Sequence, residues 1–134
     1  MRYLLIIGLL VSLSSGKGRA YPTSPADVFQ EIAVAFRAGN AGEAARYFGS
    51  RVELILRGES NVYSKAQAEQ ILSQFFKRHP PQSFKILHRG SSAMGAKYAI
   101  GELNTGDQKT FRAYFYLKPV DGSYRLQKIS LETE

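Results

Sequence analysis

The clearest hydrophobic pattern lies between Val62 and His88, where a strand end, a helical stripe and a new alternating segment follow one another. Ala68, Ile71, Leu72, Phe75 and Phe76 recur at i, i+3, i+4, i+7 and i+8, with Gln, Glu, Ser and Lys on the opposite side. That spacing predicts an amphipathic helix lying on a sheet. Ser64 offers a capping hydroxyl, Gln67 stands three residues on as the capping-box partner, and Pro80-Pro81 ends the helix because neither residue carries a backbone donor.

The preceding segment predicts two more helices. Ser24-Pro25-Ala26-Asp27 reads as N-cap, proline at the first helical position and an acidic first turn. Phe29, Ile32, Ala33 and Phe36 carry this helix to Ala38, and Gly39-Asn40 supplies a left-handed exit. Asn40 with Glu43 starts the next helix, expected to run through Tyr47-Phe48 to a stop at Gly49. Val52, Leu54 and Leu56 then alternate with charged residues as a strand, and Gly58 to Asn61 offers the turn into a short Val62-Tyr63 strand.

Four candidate strands follow the helix: Ser83 to Arg89, Lys97 to Leu103, Thr110 to Lys118 and Tyr124 to Glu132. Met94-Gly95, Asn104-Thr105-Gly106-Asp107 and Asp121-Gly122 separate them with turn residues, and turns this short imply antiparallel neighbours. In the last strand the apolar parity changes between Leu126 and Ile129, which predicts a bulge near Gln127-Lys128 and a strongly curved sheet. The order is ααββαββββ, an α+β chain with three helices on one curved, mainly antiparallel sheet.

This order resembles the cone-shaped fold of the nuclear transport factor 2-like superfamily, which includes ketosteroid isomerase, scytalone dehydratase and many non-enzymatic members. A closer likeness lies in Val62-Tyr63-Ser64-Lys65-Ala66-Gln67-Ala68-Glu69, Phe75-Phe76, Phe84-Lys85-Ile86-Leu87-His88 and Tyr98-Ala99-Ile100-Gly101. These stretches resemble a family of small exported bacterial proteins classed as a domain of unknown function within that superfamily. The resemblance implies the fold and an envelope location, and no established activity comes with it.

The amino terminus agrees with export. Met1-Arg2, the apolar run Tyr3 to Val11 and the small and polar residues after it have the three-part form of a signal peptide. Gly18-Arg19-Ala20 suits cleavage after residue 20, with Ser14-Ser15-Gly16 as the alternative exit, and the apolar run falls short of the ~20 residues of a spanning helix. The expectation is a signal peptide over 1–20 and one domain over 21–134, periplasmic or secreted, with no stable membrane span after processing. Cysteine is absent, so the fold rests on its core without disulfides. The formal charge of +7 overstates the basic character, since Arg2, Lys17 and Arg19 leave with the signal; 15 basic groups remain against 11 acidic ones. No run of basic residues suggests nucleic acid as a partner.

Candidate chemistry is sparse. His88 shares strand parity with Phe84 and Ile86, and inside an apolar cone it would suit acid–base work; the same alternation equally allows Leu87 inward and His88 outward. Glu102, mid-strand with Tyr98 and Ile100, is the other candidate acid, while Tyr47 and Tyr98 are possible hydrogen-bond donors in a pocket with His88. His79, before the prolines, reads as helix-end surface. Asp27, Glu43, Glu69, Asp107 and Asp121 are accounted for by helix starts, helix surfaces and turns. The superfamily's isomerases and dehydratases commonly place Asp with Tyr or His inside the cone, and this chain departs from that pattern. No metal ligand set or cofactor motif is present. Arg112, Tyr114 and Tyr116 alternate with core residues and form an aromatic, basic strand face suited to an interface. The reading is a non-catalytic module for a protein partner, self or envelope, or for a small apolar ligand; the alternative is a small cofactor-free isomerase or dehydratase using His88 and Glu102.

Overall fold

Ser24 Oγ accepts a hydrogen bond from the Asp27 amide at 3.1 Å and opens the first helix, α1 (Pro25–Ala38), which the chain leaves through Gly39 at φ 66°. The computed structural model describes residues 24–134, so the expected signal segment at 1–20 lies outside the described residues. Asn40 Oδ1 caps α2 (Ala41–Ala45) by accepting from the Glu43 amide at 3.0 Å. This helix is shorter than expected, because Tyr47 and Phe48 do not continue it. The Tyr47 carbonyl accepts a 2.7 Å bond from the Leu126 amide, and Phe48 begins β1 (Phe48–Leu56) opposite Leu126. Both aromatics are buried, so sheet pairing and core packing override the local helical signal.

The hairpin turn is Arg57-Gly58, not Gly58 to Asn61. Leu56 pairs with Glu59, and Arg57 and Gly58 take φ of 54° and 76°, the two positive angles of a tight hairpin turn. The second strand, β2 (Glu59–Ser64), is accordingly longer than the expected Val62-Tyr63. Ser64 and Gln67 form the complete capping box of α3 (Lys65–Arg78), which buries Ala68, Leu72, Phe75 and Phe76. Four strands follow: β3 (Pro81–Ser91), β4 (Lys97–Thr105), β5 (Thr110–Val120) and β6 (Ser123–Thr133).

The six strands form one sheet in the order β2-β1-β6-β5-β4-β3. All neighbours are antiparallel except β1 and β6, which run parallel and join the first hairpin to the last strand. Tyr116 faces Lys128 while Leu117 faces Leu126, leaving Gln127 unopposed; the expected bulge is there, and it returns Ile129 and Leu131 to the core side. β3 carries another irregularity at Leu87, between the Ile86–Gly101 and His88–Ile100 pairs. Bulges bend their strands, and the sheet curves around the helices.

Phe29, Phe36, Phe75 and Phe76 fill the space between helices and sheet. The Phe36 ring stands 5.1 Å from Phe76, 5.4 Å from Phe84 and 4.9 Å from Phe115, and edge-on contacts of this kind add to simple area burial. The Arg37 guanidinium ties α1 to β3 by donating to the Phe84 carbonyl, 3.3 Å from Nε and 3.0 Å from Nη2. The phenylalanine rings fill the middle of the cone.

Candidate functional site

One concavity lies where α3 passes over the β1–β2 hairpin. It is a half-open cavity of about 320 Å³ lined by Leu54, Leu56, Arg57, Glu59, Asn61, Tyr63, Phe75 and Arg78. Strand pairing explains the composition: Leu54 opposes Asn61 and Leu56 opposes Glu59, so these four side chains share the helix-covered face. Phe75 reaches the same space from the last turns of α3, and Arg78 ends that helix. Leu54 and Phe75 are buried and Leu56 and Tyr63 half-buried, whereas Arg57, Glu59, Asn61 and Arg78 are exposed. The result is an apolar floor with a polar, charged mouth. Among the described residues, neither guanidinium nor Glu59 has an ion-pair partner.

The residues singled out from the sequence lie elsewhere. The irregularity at Leu87 sets His88 opposite Ile100, on the sheet face away from the helices, so His88 does not share the inward direction of Phe84. Its Nε2 is 3.2 Å from the Tyr98 hydroxyl in an exposed pair, and the Tyr98 ring covers Gly90, where a Cβ would meet ring atoms at 2.3 Å. Glu102 is on the same open face, between Lys85 and Arg112. Tyr47 is buried in the core on the helix side. The expected Tyr47, His88 and Tyr98 pocket is therefore not assembled, and His88 and Glu102 stand outside the cone.

Arg112, Tyr114 and Tyr116 do share the open face. Tyr114 stacks on Tyr98 with ring centres 6.0 Å apart and planes inclined by 21°, and Lys118 Nζ lies 5.8 Å from the Tyr116 ring centre. Arg112 Nε reaches Glu134 at 3.4 Å, and Lys128 joins Glu53 at 3.3 Å across the parallel seam. Partial burial raises the Tyr114 phenol pKa above its usual value, with nearby Lys128 opposing the shift and the charges of Tyr116 and Tyr98 adding to it.

A polar cluster that the sequence reading missed sits where α3 gives way to β3. His79 is only 5% exposed, not surface as expected, and its ring stands 4.9 Å from Phe75 and 5.0 Å from Phe111. Nδ1 lies 2.6 Å from Asp107 Oδ2, while Thr105 donates its hydroxyl to the other carboxylate oxygen. The Thr105 bond chiefly, against desolvation, and then the His79 bond hold the Asp107 carboxyl below the usual range. The Gly106 amide closes the junction by donating to the Pro80 carbonyl at 2.7 Å. His79 is not among the cavity lining; Phe75 has it on one side and lines the cavity as well. Among the described residues no three His, Asp or Glu side chains converge as metal ligands, and no helix is long and apolar enough to cross a membrane.

A six-stranded curved sheet with three helices on one face is the arrangement of nuclear transport factor 2-like proteins. One such protein, of unknown function, from Silicibacter pomeroyi DSS-3 superposes with a TM-score of 0.60 at 12% identity, covering 81% of this chain and 92% of its own. The chain shares that fold and belongs to the family described as Domain of unknown function (DUF4783), whose model matches residues 29–132. Crystal structures of family proteins from Bacteroides ovatus ATCC 8483 and Bacteroides fragilis YCH46 are similar at 27% and 28% identity, both with a TM-score of 0.73. Each match covers 78% of this chain, and 93% and 96% of the respective Bacteroides chains. Among curated proteins none matches.

Proposed function

We propose that the protein is a non-catalytic binding module that takes a small apolar ligand in the cavity between α3 and the β1–β2 hairpin. The observation that carries this reading is the cavity itself, a concave space of about 320 Å³ with an apolar floor of Leu54, Leu56, Tyr63 and Phe75. Small-molecule sites run from ~300 to ~1,000 Å³ and are lined mainly by apolar and aromatic groups, so this one suits a metabolite-sized ligand. The lining carries one carboxylate, Glu59, and no histidine, a composition that suits holding a ligand. The test is the fluorescence of the neutral dye N-phenylnaphthylamine on titration with the protein. Saturable enhancement that is lost in Leu56→Trp, which fills the floor, is expected; enhancement unchanged in a folded Leu56→Trp protein would place the dye elsewhere and end the reading.

Export belongs to the same reading: a signal over 1–20 delivers a domain that begins at 21 to the periplasm or the medium. The intact mass of the exported protein should correspond to a chain starting at Tyr21, and a mature start at Met1 would remove this part. The open sheet face favours a second partner, another copy of the chain, because Tyr98, Tyr114 and Tyr116 form a half-exposed aromatic strip bordered by Arg112 and Lys128.

A further inference from the structure

We propose, building on the cavity reading above, that the ligand is an apolar carboxylate whose acid group is held at the mouth by Arg57 and Arg78. Three observations point to this class. First, the two guanidiniums arrive from unrelated elements, a hairpin turn and a helix end, and both line one cavity. Neither has an ion-pair partner among the described residues, a state shared with Arg51 and Arg89 outside the cavity, whereas Arg37, Arg46, Arg112 and Arg125 are each committed to a carbonyl or carboxylate. A guanidinium keeps its charge at any pH a folded protein meets, and its planar fork matches the two oxygens of a carboxylate.

Second, Arg57 occupies a backbone conformation that its side chain does not favour. It lies at φ 54° in the first central position of a two-residue hairpin turn, where Asn, Asp and Gly are the residues that adopt positive φ at least cost. The fold therefore tolerates local strain at the cavity mouth to present a long cation there, and strain of this kind gathers at binding sites. Third, the charge is at the mouth and the apolar surface beneath it, so an amphiphilic ligand meets both at once: body on Leu54, Leu56, Tyr63 and Phe75, head between the arginines. Asn61 adds a carboxamide that can donate to the same oxygens. Glu59 is the single opposing charge in the lining, which leaves the site net positive and disfavours a cationic amphiphile.

The experiment displaces N-phenylnaphthylamine from the full-length exported protein with three ligands of one shape: phenylpropanoate, phenylpropanol and phenylpropylamine. It is run near pH 7.5, where the acid is ionised and the amine protonated. The acid is expected to displace the dye at a concentration at least about tenfold below that of the alcohol, the amine being weakest. Arg57→Gln together with Arg78→Gln should bring acid and alcohol within about threefold of each other, a ratio read against the dye affinity measured for the double variant itself, since the charged fork has been removed. Equal displacement by acid and alcohol would overturn the carboxylate assignment and leave the apolar cavity standing. Preference for the amine would transfer control of the site to Glu59, and an acid preference surviving in the double variant would exclude the arginines as its source. Failure of the dye to bind at all would instead remove the cavity reading, and this inference with it.

Discussion

Phe84 crosses β4 so closely that a Cβ on Gly101 would sit 2.5 Å from the ring's Cζ, and the backbone carbonyl of Lys85 would be 3.0 Å away. The missing side chain is filled by a neighbour's ring, so Gly101→Ala should push Phe84 out of its contacts with Phe36 and Phe115 and cost about 1–3 kcal/mol. Urea unfolding measures this, and an unchanged midpoint would show that the ring moves aside freely. Asp107 carries a pH dependence. Its folded pKa is depressed, so its contribution is present above the unfolded value near 3.9 and disappears as pH falls through the lower folded value. The stability gap between the protein and Asp107→Asn should therefore stay level from neutral pH to about 5 and then narrow in more acidic buffer. A gap that is flat to the lowest pH at which both proteins fold would assign it to something other than the carboxylate charge. These residues also mark the limits of sequence reading. His79 looked like helix-end surface because its partner Asp107 is 28 positions away and no local spacing links them. His88 was undecided for a different reason: Phe84 to Arg89 fits either orientation until the irregularity at Leu87 chooses one.

At the scale of elements, helix ends and strand parity were the most legible features, since both depend on near neighbours. Ser24, Asn40 and Ser64 cap as their positions indicated, and the parity change in β6 located the Gln127 bulge before any partner strand was known. Ser64→Ala removes the hydroxyl that receives the Gln67 amide and should lower stability by about 1 kcal/mol, read as an earlier thermal midpoint. Deleting Gln127 tests the bulge directly, because it makes Leu117–Leu126 and Tyr116–Lys128 consecutive regular pairs without moving either from its face. The apolar set Leu126, Ile129 and Leu131 then stays inward, so a cooperative transition is expected to survive with a lower midpoint from the lost bend; a variant unfolding at the original midpoint would make the bulge dispensable. Less was legible where pairing is non-local. The second helix stopped early because Phe48 finds Leu126, and the parallel join of β1 to β6 leaves no trace in either strand's own pattern. The cavity escaped notice for the same reason: Arg57 and Arg78 read singly as a turn residue and a helix-end cation.

For the whole molecule, the state of assembly tests the proposed role of the open sheet face. If two copies meet through it, Tyr114→Asp with Tyr116→Asp should give a monomer that keeps its secondary structure, whereas the unmutated protein at about tens of micromolar should scatter light as a dimer. A monomeric unmutated protein at that concentration would remove the proposal. The seam between β1 and β6 has a consequence in time as well as in space. Among the described residues, the hairpin that walls the cavity has no sheet neighbour other than β6. While the polypeptide is being synthesised, Leu54 and Leu56 must wait for Ile129 and Leu131 to emerge before β1 can pair with β6. Contacts so distant along the chain form late, after a large loop has closed. A nascent chain therefore carries a hairpin still lacking its sheet neighbour, and the pocket is completed only once β6 has emerged and paired.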